Sequence, residues 1–360
     1  MAKITIDDVT KRFGESDESI VAVDDVNIDI EDGETFSPAA GATSSVRVST
    51  SIDIMNHVSF SVGGVYDQQK STFVGLKDAG LTVGSDLSVA LGYGGTTEPV
   101  FEGTITEVRP SFPEGSAPTV NVTAKDYRYA MDQAASDESF DGTTVTDAAK
   151  QIGRRYGFSD VETDTDGSVD GGASELELTQ LVRDAQSEYD FLQKLARRFD
   201  YELFSRTGVL VFRRPPAEQS PAASLTYGQG LRSFEANSRT AQTDANSVKY
   251  TGVNHYTGER VSGERARSGD GGTVLRKAAI ESDTEARQRS AGTATEMDRA
   301  QTSDATTLGL PDVQIGQWLE LDGLGSLGEQ TYDGVYYVQA TDHTIRESGY
   351  TTRFTLSEKQ

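Results

Sequence analysis

Residues 162–173, ETDTDGSVDGGA, place acids at relative positions one, three and five (Glu162, Asp164, Asp166) and a glycine at six (Gly167), the order in which a calcium loop wraps its ion in oxygen. The twelfth position, which needs a bidentate glutamate, is Ala173, and the first is glutamate instead of aspartate. The segment therefore reads as a solvated acidic turn, and no metal ligand is assigned. The three histidines, His57, His255 and His343, lie in distant segments, none in HExxH or four residues from another, so strand packing or surface exposure is expected of each. GxSxG is absent, so there is no nucleophile elbow. With 57 acidic residues, no particular pair can be nominated for glycoside hydrolysis. Asn121 opens the sequon NVT inside an alternating stretch and reads as part of a strand. Trp318 and the run TYDGVYYV suit either a sugar- or partner-binding stripe or packing. Packing in a core or interface is the preferred reading, because Tyr and Trp bury large area while satisfying a polar tip. No catalytic, cofactor or metal residue follows, and no enzyme activity is expected.

The elements that carry these residues change character along the chain. Between Val46 and Ala130, SSVRVSTSIDIM, LSVALGY, PVFEGTITEVRP and PTVNVTAKD alternate apolar and polar residues, separated by glycine- and proline-bearing turns. Short strands at this spacing predict a small antiparallel barrel. Near Gly142 the period becomes helical: Thr144 is the expected N-cap, Val145, Ala148, Ala149, Ile152 and Tyr156 share one face, and Gly157 ends it. Ser187 is expected to cap a second helix with Phe191, Leu192, Leu195, Ala196 and Phe199 on its apolar face, core first and interface second. YELFSRTGVLVFRRP then reads as a hairpin turning at SRTG, which completes an α+β module. Beyond Leu225, ERVSGERARSGDGGT is expected as a mobile hairpin tip and SDTEARQRSAGTATEMDRAQ as a marginal, solvated helix. The last forty-odd residues read as three or four strands, with Trp318, Leu319, Leu321, Tyr336, Val338, His343, Ile345, Phe354 and Leu356 as their apolar or inward positions.

Composition bounds the function. The net charge is -24, with acids spread along the whole length, and 10 lysines against 23 arginines. This is the pattern of adaptation to molar salt, where the Debye length falls to about 3 Å. A chain without a basic surface is a poor partner for free nucleic acid or an anionic membrane. No cysteine is present, so disulfides and thiolate chemistry are excluded. No signal-peptide core opens the chain, and no run approaches a membrane span, so no membrane anchor is expected.

Residues 4–34 resemble the opening of the ATPase subunits of ABC transporters, which raises a nucleotide-binding regulator as an alternative reading. The phosphate cradle is missing: after Glu34 comes TFSPAAGATSS, and no Gly-Lys dipeptide exists anywhere. Two β-segments, residues 4–9 and 20–30, are the plainer expectation.

The order of the remaining segments is similar to the tail hub proteins of tailed viruses, the late-control protein D family, and to the first portion of contractile-injection and type VI secretion spike proteins. The residues that carry this are EYDFLQKLARRFDYELF with its hairpin and YYVQATDHTI…GYTTRFTL, within about residues 46–358. The resemblance implies a mainly β fold, two small antiparallel β-barrel domains flanking an α+β module. The expected division is 1–45 (β-segments of uncertain placement), 46–135 (first barrel), 136–220 (α+β module) and 221–360 (second barrel). It also implies a structural, non-enzymatic hub at the distal end of a virus tail, assembled in the host cytoplasm as a homotrimer that adapts a sixfold tube to a threefold tip. The implied partners are the tail tube or distal ring protein, a spike or central fibre on a separate chain and, as an option, a tape measure protein. A virus of a salt-loving archaeon fits the charge. A tail-tip envelope hydrolase or adhesin is the other alternative.

Overall fold

The computed structural model describes residues 2–6, 12–13, 20–21, 26–30, 43–76, 80–93, 96–133, 135–140, 144–163, 181–199, 201–216, 219–236, 245–267, 271–280, 282–299, 302–327, 330–346 and 349–357. The fold is mainly β with an α+β insertion.

The first unit holds β1 (Ala2–Ile6), the short pair β2 (Arg12–Phe13) and β3 (Ile20–Val21), β4 (Val26–Ile30), β5 (Thr43–Ser51) and β6 (His57–Val62). A second short pair follows, β7 (Tyr66–Asp67) and β8 (Thr72–Phe73), then β9 (Asp86–Tyr93), β10 (Thr96–Ser111) and β11 (Thr119–Lys125). Alternation makes these strands: in β6, Val58, Phe60 and Val62 are buried while the residues between them stay half-exposed, and β9 and β11 do the same. Their hydrogen-bonded order is β1-β4-β9-β10-β11-β6-β5, antiparallel at every step. The opening residues, without an assigned place in sequence, thus form a hairpin-like pair on the edge of the first sheet.

The α+β insertion comprises α1 (Arg128–Met131), β12 (Ala135–Phe140), α2 (Val145–Gly153), β13 (Asp160–Thr163), β14 (Leu181–Ser187), α3 (Glu188–Phe199), β15 (Glu202–Arg206) and β16 (Val209–Arg213). Thr144 caps α2, its hydroxyl accepting from the Asp147 N–H at 3.0 Å. Ser187 does the same for α3 through the Asp190 N–H. The apolar faces of the two helices share one core with Leu203, Leu210 and Phe212 of the β15–β16 hairpin. Each such fully buried side chain contributes about 1.5–3 kcal/mol. The hairpin turns through Thr207 (φ 43°) and Gly208 (φ 75°), the paired left-handed residues of a two-residue turn.

The last unit contains β17 (Pro221–Tyr227), β18 (Gly230–Ala236), β19 (Ala245–Val253), β20 (Arg260–Ala266), β21 (Gly271–Lys277), α4 (Asp283–Arg299), β22 (Thr302–Leu308) and β23 (Trp318–Asp322). It ends with the short β24 (Ser326–Leu327) and β25 (Gln330–Thr331), then β26 (Gly334–Arg346) and β27 (Gly349–Ser357). Strands β26-β23-β17-β18-β22-β27 close into a six-stranded barrel, since β27 also pairs with β26; the β17–β23 and β17–β18 steps are parallel. Phe354, Leu356, Leu319, Leu321 and Val338 fill it.

The expected hairpin tip at ERVSGERARSGDGGT is not one. Its two arms, β20 and β21, flank β19 on opposite sides, antiparallel and parallel respectively, in the order β20-β19-β21. Helix α4 covers one face at close range: a Cβ on Gly263 would overlap the backbone of Ala286 and Arg287. Small residues, Ala286 and Ser290, make that approach possible, so neither sheet nor helix shows a strong apolar period in sequence.

Candidate functional site

The chemistry-bearing side chains gather where the three units meet. On the first interface, Asp126 at the end of β11 and Arg128 in α1 form an ion pair of 2.8 Å with both side chains fully buried. Asp126 also accepts from the Asn56 N–H. Arg128 donates to the carbonyls of Ile54 and Leu203 and to the Asn56 Oδ1, and the Asn56 amide donates to the Ser205 carbonyl. One guanidinium therefore ties the β5–β6 bend to the β15–β16 hairpin. Its planar fork of donors suits this role, where a lysine would reach one acceptor at a time.

On the second, β26 keeps β27 on one edge while its C-terminal half takes β5 on the other, from Ala340↔Ser51 to Arg346↔Ser45. A bulge between Val338 and Ala340 marks the switch, because the N-terminal half pairs with β23 instead. The two sheets are thereby one continuous ladder. Ile345 and Tyr350, near the tip of the β26–β27 hairpin, complete the core of the first unit.

His343 is sealed in this ladder. Its Nδ1 meets the Tyr350 hydroxyl at 2.8 Å and the Thr352 hydroxyl at 3.0 Å, and its Nε2 meets Thr341 Oγ1, which in turn pairs with Thr50 Oγ1. Burial pushes the imidazole down to about 4, against the opposing pull of Asp342, so the ring is neutral near pH 7. The same burial raises the Tyr350 hydroxyl well above its ordinary range. A neutral histidine without solvent access is a packing element here and not a general base.

The third interface joins the insertion to the barrel. Glu162 bridges Arg206 and Arg213 at 2.7 Å each, Arg213 donates to the Gly316 carbonyl, and the Tyr337 hydroxyl donates to the buried Glu202 carboxylate at 2.6 Å. Glu285 of α4 takes both Arg198 of α3 and Arg289. Thr50, Val100, Ser205, Thr207, Ile315 and His343, contributed by all three units, line one small pocket.

Of the other residues singled out in sequence, His57 is half-buried and His255 exposed, far apart along the chain. Asn121 is half-buried in mid-β11, paired with Ser61 and Arg109. Trp318 packs on Tyr337 with ring centroids 4.8 Å apart, in the barrel cluster. Phe191, Leu192, Leu195 and Ala196 are core, as expected; the side chain of Phe199 and residues 164–173 of the acidic loop lie outside the described residues. Among the described residues no group of three or more His, Asp or Glu side chains converges on a metal position, and no helix is long and apolar enough to cross a membrane. The Asp126–Arg128–Asn56 junction was missed in sequence, since nothing in AKDYRYA separates a buried pair from a surface one.

What this arrangement does chemically is hold two sheet units and an insertion in fixed relation. Its architecture is that of phage tail proteins. The 43 kDa tail protein of prophage MuSo2 from Shewanella oneidensis superimposes with a TM-score of 0.70 at 14% identity, covering 92% of this chain and 98% of that one. A tail protein from Neisseria meningitidis gives 0.68 at 14% identity, over 93% and 96%. An Escherichia coli component of the type VI secretion system, itself described as similar to phage T4 tail proteins, gives 0.57 at 11%, over 92% and 77%. No curated protein matches the chain. Residues 23–347 match the family described as Alg8 N-terminal domain, and the chain belongs to that family.

Proposed function

We propose that the chain is a structural, non-enzymatic hub at the distal end of a virus tail, a homotrimer that presents six sheet-rich units, three open sheets and three closed barrels, to a sixfold tube and three copies to the tip. The observation that carries this reading is the continuous β5–β26 ladder, which fixes two sheet units side by side in one polypeptide. Three such chains about an axis make a ring of six, and closed rotational assembly is how a threefold part meets a sixfold partner. The tail-protein fold over nearly the whole length of the chain supports the same assignment. The partners are then the tail tube or distal ring protein on one face and a spike or central fibre on the other. The charge of -24 favours a virion assembled in a salt-rich cytoplasm, as in a halophilic archaeon.

Light scattering in molar KCl tests this directly: three chains per particle are expected, either alone or on addition of the tube protein. A species that stays monomeric under both conditions, or that is missing from purified tails, overturns the reading.

A further inference from the structure

Residues 245–280, which hold β19, β20 and β21, carry six lysines and arginines against three acids. The whole chain has 57 acids and 33 basic residues, which leaves 54 acids against 27 basic residues for the remainder, so the twofold excess is reversed in this segment. The sheet has two faces. Residues opposite one another in register share a face, and Tyr250 and Gly263 turn theirs to α4: the Tyr250 hydroxyl meets Thr293 Oγ1, and Gly263 lies against the Ala286–Arg287 backbone. The alternate rows, Lys249 with Glu264 and Leu275, then Thr251 with Lys277, then Val253 with Arg260, therefore point away from the helix. Lys249 is taken by Glu264 at 3.3 Å, whereas Arg260 and Lys277 are exposed and make no ion pair among the described residues. Beside them Val253 and Leu275 stand 44% and 56% exposed. At the end of the β19–β20 hairpin Tyr256 is 87% exposed, on a turn held by Asn254, whose Oδ1 accepts from the N–H groups of Tyr256 and Thr257 and whose carbonyl accepts from the Gly258 N–H. A tyrosine fixed in solvent by its own turn has little ordering entropy left to lose on binding.

Resting on the tail reading above, we infer that the outer face of the β20-β19-β21 sheet, together with the Tyr256 turn, docks an acidic surface of a neighbouring protein in the tail. Charge complementarity selects this occupant. A protein that shares a salt-rich compartment with this chain carries the same kind of acid coat, and two such coats pressed together set like charge on like charge, which costs binding even where salt screens them at a distance. A gap in the coat that offers unpaired cations removes that cost at one place. Val253, Leu275 and Tyr256 add contact that salt does not weaken, and tyrosine with arginine is the composition found at interface centres. A phosphate backbone would take Arg260 and Lys277 but has nothing to set against Val253 and Leu275, so the apolar part of the face favours a protein.

Lys277 supplies the test. Purified tails are treated with a water-soluble carbodiimide, which condenses a lysine amine with a carboxylate in contact with it, and the joined peptides are read by mass spectrometry. Lys277 is expected to be joined to an aspartate or glutamate of another tail protein, and to acetylate more slowly in the tail than in the isolated chain. Joining only to carboxylates of this same chain overturns the inference in favour of a contact between copies, and protection that nuclease digestion removes overturns it in favour of nucleic acid. Equal acetylation in tail and isolated chain overturns it outright while leaving the hub reading in place; absence of the chain from tails overturns both. Two surface variants give an independent readout. Arg260→Glu and Tyr256→Ala, each checked for an unchanged thermal midpoint and an unchanged mass by light scattering, should lower incorporation into tails by about tenfold or more. Normal incorporation of both variants overturns the inference.

Discussion

Arg128 and Asp126 sit where a residue-level change has its largest effect. Removing the arginine leaves the buried Asp126 carboxylate without its counter-charge and takes from the carbonyls of Ile54 and Leu203 the guanidinium that donates to them. Arg128→Ala is therefore expected to cost about 3–5 kcal/mol, read as a fall in the urea midpoint. His343 gives a second, pH-dependent prediction. Its folded value of about 4 lies below its ordinary 6.5, so between those values the unfolded chain binds a proton that the folded chain refuses. Stability is complete above pH 6.5 and is lost as pH falls toward 4, by about 3 kcal/mol from this group alone. Urea titrations at pH 7 and pH 4 on the wild type and on His343→Gln should show this part of the slope in the first and its absence in the second.

At the scale of elements, two close approaches carry the packing. The β15–β16 turn puts a β-branched residue, Thr207, at φ 43°, a region that its side chain disfavours and that asparagine tolerates. Thr207→Asn restores the preferred Asn-Gly pair and should raise stability by roughly 0.5–1 kcal/mol, seen as a higher thermal midpoint. Gly263 in β20 lets α4 lie against the β20-β19-β21 sheet, where a Cβ would meet helix backbone that cannot swing aside. Gly263→Ala should cost about 1–3 kcal/mol and speed hydrogen exchange across α4 and β20, while the barrel and the first sheet exchange as before.

The whole molecule carries 57 acids against 33 basic residues, so its folded state is opposed by self-repulsion that salt screens. Raising KCl from low to molar concentration should increase the thermal midpoint by about 5 °C or more, whereas sucrose, which screens no charge, should not reproduce the charge-dependent part. The ion pairs at the interfaces respond differently. Asp126–Arg128 is sealed from solvent and keeps its strength in salt, while an exposed pair such as Lys249–Glu264 does not. Screening thus favours compaction without loosening the joint between the units.

The amino-acid sequence by itself determined the elements whose cause is local. Thr144 and Ser187 cap their helices, the alternation of Val58, Phe60 and Val62 makes a strand, and SRTG turns a hairpin, because capping, periodicity and turn chemistry each act within a few residues. The charge class and the lack of a phosphate cradle were equally plain in the string of residues. What the tertiary structure decided depends on partners far away in the chain. Whether Asp126 and Arg128 are buried turns on Leu203 and Ile54, whether His343 is neutral turns on Thr50 and Tyr350, and where β20 and β21 go turns on a helix of small residues. The same holds for β26, which keeps β27 on one edge and on the other exchanges β23 of the barrel for β5 of the first sheet, near a single bulge. Long-range pairing of this kind is fixed by which edges remain unsatisfied once every local element has formed, and that is a property of the assembled chain.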